Sequence, residues 1–254
     1  MNWPMILAGG GIGLLVGSFV GAAAMRLPRD EGIVAGRSHC DSCKRPLSPL
    51  DLVPVLSYVF NRGRCRTCGA RIDALHLIAE LGGAFVGLSA MGVAATVGEG
   101  AAIAILGWQL LLLAILDGRH FWLPPRAIAL LAASALLLPV LDKQAGTVAV
   151  SAILDQVAGG ALGFALLAAP ALLYRFVLKR DGLGSADPWL LGAIGLWVGV
   201  MNVVLTLLLA AFAGLVLALF LKLAGRQVGA ESALPLGTLM GLSAYALMIA
   251  SRVT

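Results

Sequence analysis

PWLLGAIGLWVGVMNVVLTLLLAAFAGLVLALFL, residues 188–221, runs for 34 residues without a charged side chain. A helix needs about 20 apolar residues to cross a bilayer core. The run is therefore too long for one comfortable crossing. It reads as two helices turning near Met201 or Asn202, with Gly195 and Gly199 permitting close contact between helices.

Outward from this run, further apolar stretches occupy residues 5–25, 75–97, 101–116, 127–141, 148–174 and 234–251. The chain of 254 residues is 60% hydrophobic and 12% charged, with a mean hydropathy of +0.96. Such a balance excludes an ordinary soluble domain. The expected fold is all-α, a polytopic membrane helix bundle of about eight spans. Its expected divisions are a first span at 1–25, a polar cytoplasmic loop at 26–74 and a transmembrane core at 75–254.

Basic residues orient the bundle, because cytoplasmic loops carry the excess of Lys and Arg. With the N-terminus outside, 16 of the 18 Lys and Arg fall in inside segments. The exceptions are Lys143 and Arg252, and the 98–100 connection holds Glu99 but no basic residue. The net charge of +5 is thus explained by topology. It points to anionic lipid headgroups as partners and gives no reason to expect nucleic acid. Ala22, Ala23 and Ala24 end the first stretch as a cleavage site might, but no basic residue precedes it. A retained span is expected.

All four cysteines lie in the polar loop, as Cys40-x2-Cys43 and Cys65-x2-Cys68 with 21 residues between the pairs. Thiolates two residues apart reach one ion from a single turn, and Gly69 suits a knuckle with unusual backbone angles. The spacing predicts a zinc-ribbon-like loop whose four cysteines close a structural site. Disulfides are the alternative, disfavoured by a reducing cytoplasm. His39 and His76 read as interfacial residues, and His120 as a solvated loop residue that can reach Asp117.

Asp117 and Asp187 each stand at the edge of an apolar stretch, and the charge count puts both edges on the cytoplasmic side. Carboxylates at such positions are costly and usually functional. Pro188 in a first helical turn makes Asp187 a candidate N-cap, and Asp117 has Arg119 as a candidate ion-pair partner. If the two carboxyls meet, they cannot both ionise. One then holds a proton while the other takes one from a water that attacks a peptide carbonyl. Ser185 has no nearby His to activate it.

In order along the chain stand Gly17-Ser18-Phe19, Arg26-Leu27-Pro28, the two cysteine pairs, Asp51, Pro54-Val55-Leu56-Ser57-Tyr58, Gly63-Arg64-Cys65-Arg66 and Glu80. Asp117 with Leu123-Pro124 follows, then Asp187 with Leu190-Leu191, Gly195, Trp197 and Gly199. This series resembles the type IV prepilin peptidases, polytopic aspartic proteases of the GxGD type, over nearly the whole chain. The resemblance implies that Asp117 and Asp187 are the catalytic pair. It further implies removal of a short basic leader from prepilins or pseudopilins at the cytoplasmic face of a bacterial inner membrane. Many members also methylate the new N-terminus with S-adenosylmethionine, a cofactor implied here by resemblance alone.

The chain departs from the pattern in places. Gly184-Ser185-Ala186-Asp187 stands for GxGD, Trp189 for a lysine, Gly21 for a common Asn and Pro125 for a common Asp. Gly182-Leu183-Gly184 offers a second glycine pair, with Ser185 then in the aspartate slot, but the downstream spacing favours Asp187. Two other functions stay open at this point. One is an inactive membrane scaffold or transporter-like protein that keeps the zinc loop, and the other an intramembrane aspartyl protease with different substrates.

Overall fold

The structure is a computed structural model that describes residues 2–33, 38–136, 150–179, 182–225 and 234–253. Its helices are α1 (Trp3–Arg26), α2 (Leu56–Phe60), α3 (Ala74–Val93), α4 (Val97–His120), α5 (Pro125–Ser134), α6 (Val150–Leu178), α7 (Asp187–Leu223) and α8 (Leu236–Ala250). Only two isolated β-bridges occur among the described residues. The chain forms two compact units, Met1–Val97 and Gly98–Thr254.

In the first unit, α1 packs antiparallel on α3 through residues without side chains. A Cβ added at Gly13 would meet the Gly83 carbonyl, one at Gly17 the Ala79 carbonyl, and one at Gly87 the Gly9 carbonyl. Small residues four apart let two backbones approach where lipid offers no hydrophobic drive to pair. Gly21 continues the seam against His76. Asp73 opens α3 as its N-cap, its Oδ1 accepting the Leu75 N–H at 2.8 Å. Large side chains away from the seam, such as Leu7, Leu15, Phe19 and Phe85, are exposed, as expected of a lipid-facing surface.

The second unit uses the same device. Gly159, Gly160 and Gly163 of α6 lie against Gly195, Gly192 and Leu191 of α7. Gly163 also touches Val203, although 12 helical residues would separate Leu191 from Val203 by about 18 Å. The chain therefore turns sharply inside α7. The turn is at Gly199, with φ 77° and ψ −179°, two residues before the expected Met201. Asp155 of α6 supports the break by accepting the Val200 N–H at 3.3 Å, so a carboxylate from a neighbouring helix satisfies a donor freed by the turn.

Five helices (α1, α3, α4, α6 and α7) are long and apolar enough to cross a membrane, while α5 and α8 are shorter. The expected count of eight is thus not what the described residues supply, and the stretch 127–141 passes beyond them at residue 137. A second difference concerns α4. The expected 98–100 connection is helical, and the helix continues past Leu116 to His120. Glu99 at its start pairs with Arg252 just beyond α8. Since Asp117 near its other end meets Thr238 at the start of α8, α4 and α8 run antiparallel.

Buried polar groups tie α4, α5 and α7 together. Gln109 Nε2 donates to Ser134 Oγ at 2.9 Å, Ser134 Oγ donates to the Leu131 carbonyl at 2.9 Å, and Trp197 Nε1 donates to the same carbonyl at 2.8 Å. Away from water each of these groups requires a partner, so the bonds fix the register of the three helices.

Candidate active site and metal centre

In the first unit, the two cysteine pairs fold into matching knuckles. Cys40 N–H donates to Arg45 O and Lys44 N–H to Cys40 O, while Cys65 N–H donates to Ala70 O and Gly69 N–H to Cys65 O. Each knuckle closes with one β-bridge, His39 with Pro46 and Arg64 with Arg71. Both place a left-handed residue at the same point, Lys44 at φ 56° and Gly69 at φ 71°. The four sulfurs lie within 4.8 Å of one another, and Cys40 Sγ is 3.9 Å from Cys68 Sγ. Tetrahedral coordination with Zn–S near 2.3 Å requires sulfurs about 3.8 Å apart, so the donor set fits zinc. The metal-competent cluster contains neither His39 nor His76.

The electrostatics suit thiolate ligation. N–H groups of Cys68 and Thr67 draw the Cys65 thiol down to about 6, against the effect of burial. The Cys68 thiol is at about 11: the Ala70 N–H acts to lower it, but burial and the neighbouring cysteines outweigh that. Metal binding at neutral pH must therefore displace a proton, and metal is lost as pH falls. We expect purified protein to carry about one zinc per chain by elemental analysis. Cys40→Ser or Cys65→Ser should lose it, and a metal-free wild-type protein with an intact loop would contradict this assignment.

Asp51 joins the knuckles, a role its place in the sequence did not reveal. One oxygen accepts from Ser48 N–H at 2.9 Å, Ser48 Oγ at 2.8 Å and Arg45 at 3.1 Å, while the other pairs with Arg66 at 3.1 Å. Burial acts to raise its pKa, but the Ser48 donors and the Arg45 guanidinium outweigh it and hold the carboxyl below the ordinary range. The stabilisation is present above the ordinary carboxylate pKa and lost as pH falls through the lowered value. Beside this network is a cavity of about 420 Å³, lined in part by Ser18, Arg45, Tyr58, His76 and Glu80. Glu80 is buried, and its Oε2 accepts the Val55 N–H at 2.7 Å. Arg45 Nε is buried with no hydrogen-bond partner among the described residues.

The second unit holds both aspartates, 6% and 8% exposed, close enough for the charge of Asp117 to act on Asp187. Asp117 Oδ2 accepts the Thr238 N–H at 2.7 Å and lies 3.1 Å from Thr238 Oγ1. Gly237 allows this approach, since a Cβ there would be 3.1 Å from Asp117 Cγ. The Pro235-Leu236-Gly237-Thr238 segment went unremarked in the sequence because main-chain donors have no residue signature. A Pro and a Gly opening a short apolar helix were the available signal.

Asp187 is the first residue of α7 and not its N-cap. Ala186 occupies the cap position at φ −89° and ψ −20°. That conformation is ordinary for any L-residue, so alanine serves where the pattern has glycine. Gly184 is different. A Cβ there would be 2.6 Å from Asp187 Oδ2, and its main chain hydrogen-bonds the carboxylate. Trp189, in the slot of the missing lysine, is exposed and packs on Phe164 with ring centroids 4.7 Å apart. His120 and Arg119 end α4, both exposed.

A four-cysteine module in one unit and two buried carboxylates in the other accompany clear similarity to known proteins. The bacterial peptidase A24 N-terminal domain matches residues 12–93, and the type IV leader peptidase family matches residues 104–219. A prepilin leader peptidase/N-methyltransferase of Bacillus subtilis is 32% identical over 85% of this chain and 84% of its own. One from Pseudomonas putida, with the same name, is 28% identical over 92% and 86%. A type 4 prepilin-like proteins leader peptide-processing enzyme of Escherichia coli is 28% identical over 83% of each chain. No solved structure matches. The boundary between the two matched regions, residues 94–103, spans the boundary between the two compact units, and with relatives covering most of its length this multi-pass membrane protein belongs to the type IV leader peptidase family.

Proposed function

We propose that the chain is a membrane aspartic endopeptidase that removes the leader from type IV prepilins or pseudopilins, with Asp117 and Asp187 as its acid–base pair. The observation that supports this reading is two buried carboxylates in one unit, near enough for the charge of Asp117 to act on Asp187. Family membership supplies the substrate class.

The chemistry follows from two carboxyls sharing one proton. One carboxylate takes a proton from water as the water oxygen bonds to the scissile carbonyl carbon. The other carboxyl gives its proton to the carbonyl oxygen, producing a tetrahedral diol. As the C–N bond breaks, the first carboxyl protonates the leaving amine and the second recovers a proton from the diol. No covalent enzyme intermediate forms, and each positioned acid or base contributes about 10²–10⁴-fold. Ala186 in an unstrained conformation supports activity despite the altered loop.

Cys40, Cys43, Cys65 and Cys68 hold a structural zinc ion in this reading, with no open position for catalysis. The relatives' names include N-methyltransferase, and S-adenosylmethionine would supply the methyl group. The cavity of the first unit suits such a ligand: it is large enough for a nucleoside, and Glu80, buried at its lining, offers a carboxylate to a sulfonium. The protein would reside in the inner membrane, among anionic lipids, with its aspartates at the cytoplasmic face.

Co-expression with a prepilin tests the function. Intact-mass analysis should show the pilin without its leader, and with one added methyl group if the transferase is active. An unprocessed prepilin in the presence of folded enzyme would overturn the proposal.

A further inference from the structure

Thr238 makes two oxygen contacts with a single hydroxyl proton. Its Oγ1 is 2.9 Å from the Ala114 carbonyl oxygen and 3.1 Å from Asp117 Oδ2. A carbonyl can only accept. When the hydroxyl donates to Ala114, the contact with Asp117 is a hydrogen bond only if Asp117 brings the proton. When Asp117 is ionised, the hydroxyl can rotate and donate to it. The Thr238 N–H, at 2.7 Å from the same oxygen, can only donate.

We infer that Thr238 is a positioning residue that holds Asp117 in one orientation through both of its protonation states during hydrolysis. The inference rests on the reading of Asp117 as half of the catalytic pair. Three further features support it. Pro235, at the N-cap of α8, has no side-chain acceptor for the third residue's N–H, so Asp117 fills that role from α4. Gly237 lets the α8 backbone come close, because a Cβ there would press on Asp117 and on Leu123 Cδ1 at 3.0 Å. Both Thr238 contacts also fall on Oδ2, so the second carboxylate oxygen is not engaged by Thr238.

A hydroxyl that can reverse its direction does what an N–H cannot. As Asp117 gains and loses a proton within one turnover, a partner limited to donation would match only one of the two states. A displacement of about 1 Å at a reacting group costs about 10²-fold in rate.

The test compares Thr238→Val, which removes the hydroxyl at nearly constant shape, with Thr238→Ser, which keeps it, using purified full-length enzyme and a prepilin. Thr238→Ala provides a second hydroxyl deletion should valine fail to fold. The hydroxyl deletions should lower kcat by about 10- to 100-fold with KM within about two-fold, and serine should restore kcat to within about three-fold. A purely structural role for the hydroxyl, holding α8 to Ala114, would instead lower the unfolding temperature and leave kcat intact, overturning the inference. Serine falling as far as valine would overturn it too. Asp117→Asn in the same assay separates the two ideas. If that variant is silent while both hydroxyl deletions cleave normally, only the role of Thr238 fails. If Asp117→Asn cleaves normally, the acid–base pair itself fails.

Discussion

Asp117→Asn and Asp187→Asn should each lower leader removal by at least about 10³-fold while the protein stays folded. Asparagine keeps the shape of aspartate and retains a carbonyl acceptor, so the donors at each site remain satisfied: the Thr238 N–H at residue 117 and the Gly184 main chain at residue 187. What it cannot do is accept a proton from water or return one to the departing amine. Loss of activity should therefore come without loss of structure. Leader removal measured by mass spectrometry, alongside thermal unfolding in detergent, checks both halves. A rate loss with a collapsed protein would leave the effect to folding, and Asp155→Asn controls for that, since Asp155 supports the turn in α7 without belonging to the pair.

Gly83→Leu should destroy the packing of α1 on α3, at a cost on the order of 3 kcal/mol. A Cβ at residue 83 falls on the Gly13 carbonyl and 2.7 Å from Gly17 Cα, both backbone atoms that no rotamer change can move aside. Leucine therefore forces the helices apart along the whole seam. Gly11→Leu provides the contrast. It lies on α1, the partner helix of the same pair, yet a Cβ there meets nothing within 4 Å, so the variant should unfold within a degree or two of wild type. The unfolding temperatures of the two variants, measured in one detergent, decide whether the close glycine contacts hold the first unit together.

These contrasts also show which features a sequence can disclose. The cysteine site was readable because all its determinants are local: two Cys-x2-Cys turns and a glycine at a left-handed position. Asp51 was not, because its partners Arg45 and Arg66 come from opposite knuckles and meet only after folding. The long uncharged run correctly implied a reversal, and the position was missed by two residues. Hydrophobicity does not change at Gly199; what marks the turn is a backbone conformation and the Asp155 carboxylate from another helix. Asp117 was taken for the end of a span because charge normally ends one. In the structure α4 continues beyond it, since the start of α8 supplies the polar partner that water would otherwise provide. Both aspartates stand out in the chain as charges at the edges of apolar runs, but Thr238 does not. Its N–H is common to every residue but proline, and only the fold brings it to Asp117 from 121 positions away.

The most direct test compares leader removal by Asp117→Asn, Asp187→Asn and the double variant, purified side by side and incubated with one prepilin. Two carboxyls that share a proton act as a unit, so the second substitution should have nothing further to remove, and all three enzymes should show one common residual rate. Either single variant cleaving at the wild-type rate, or a double variant slower than both singles by a factor comparable to the first loss, would contradict a paired mechanism.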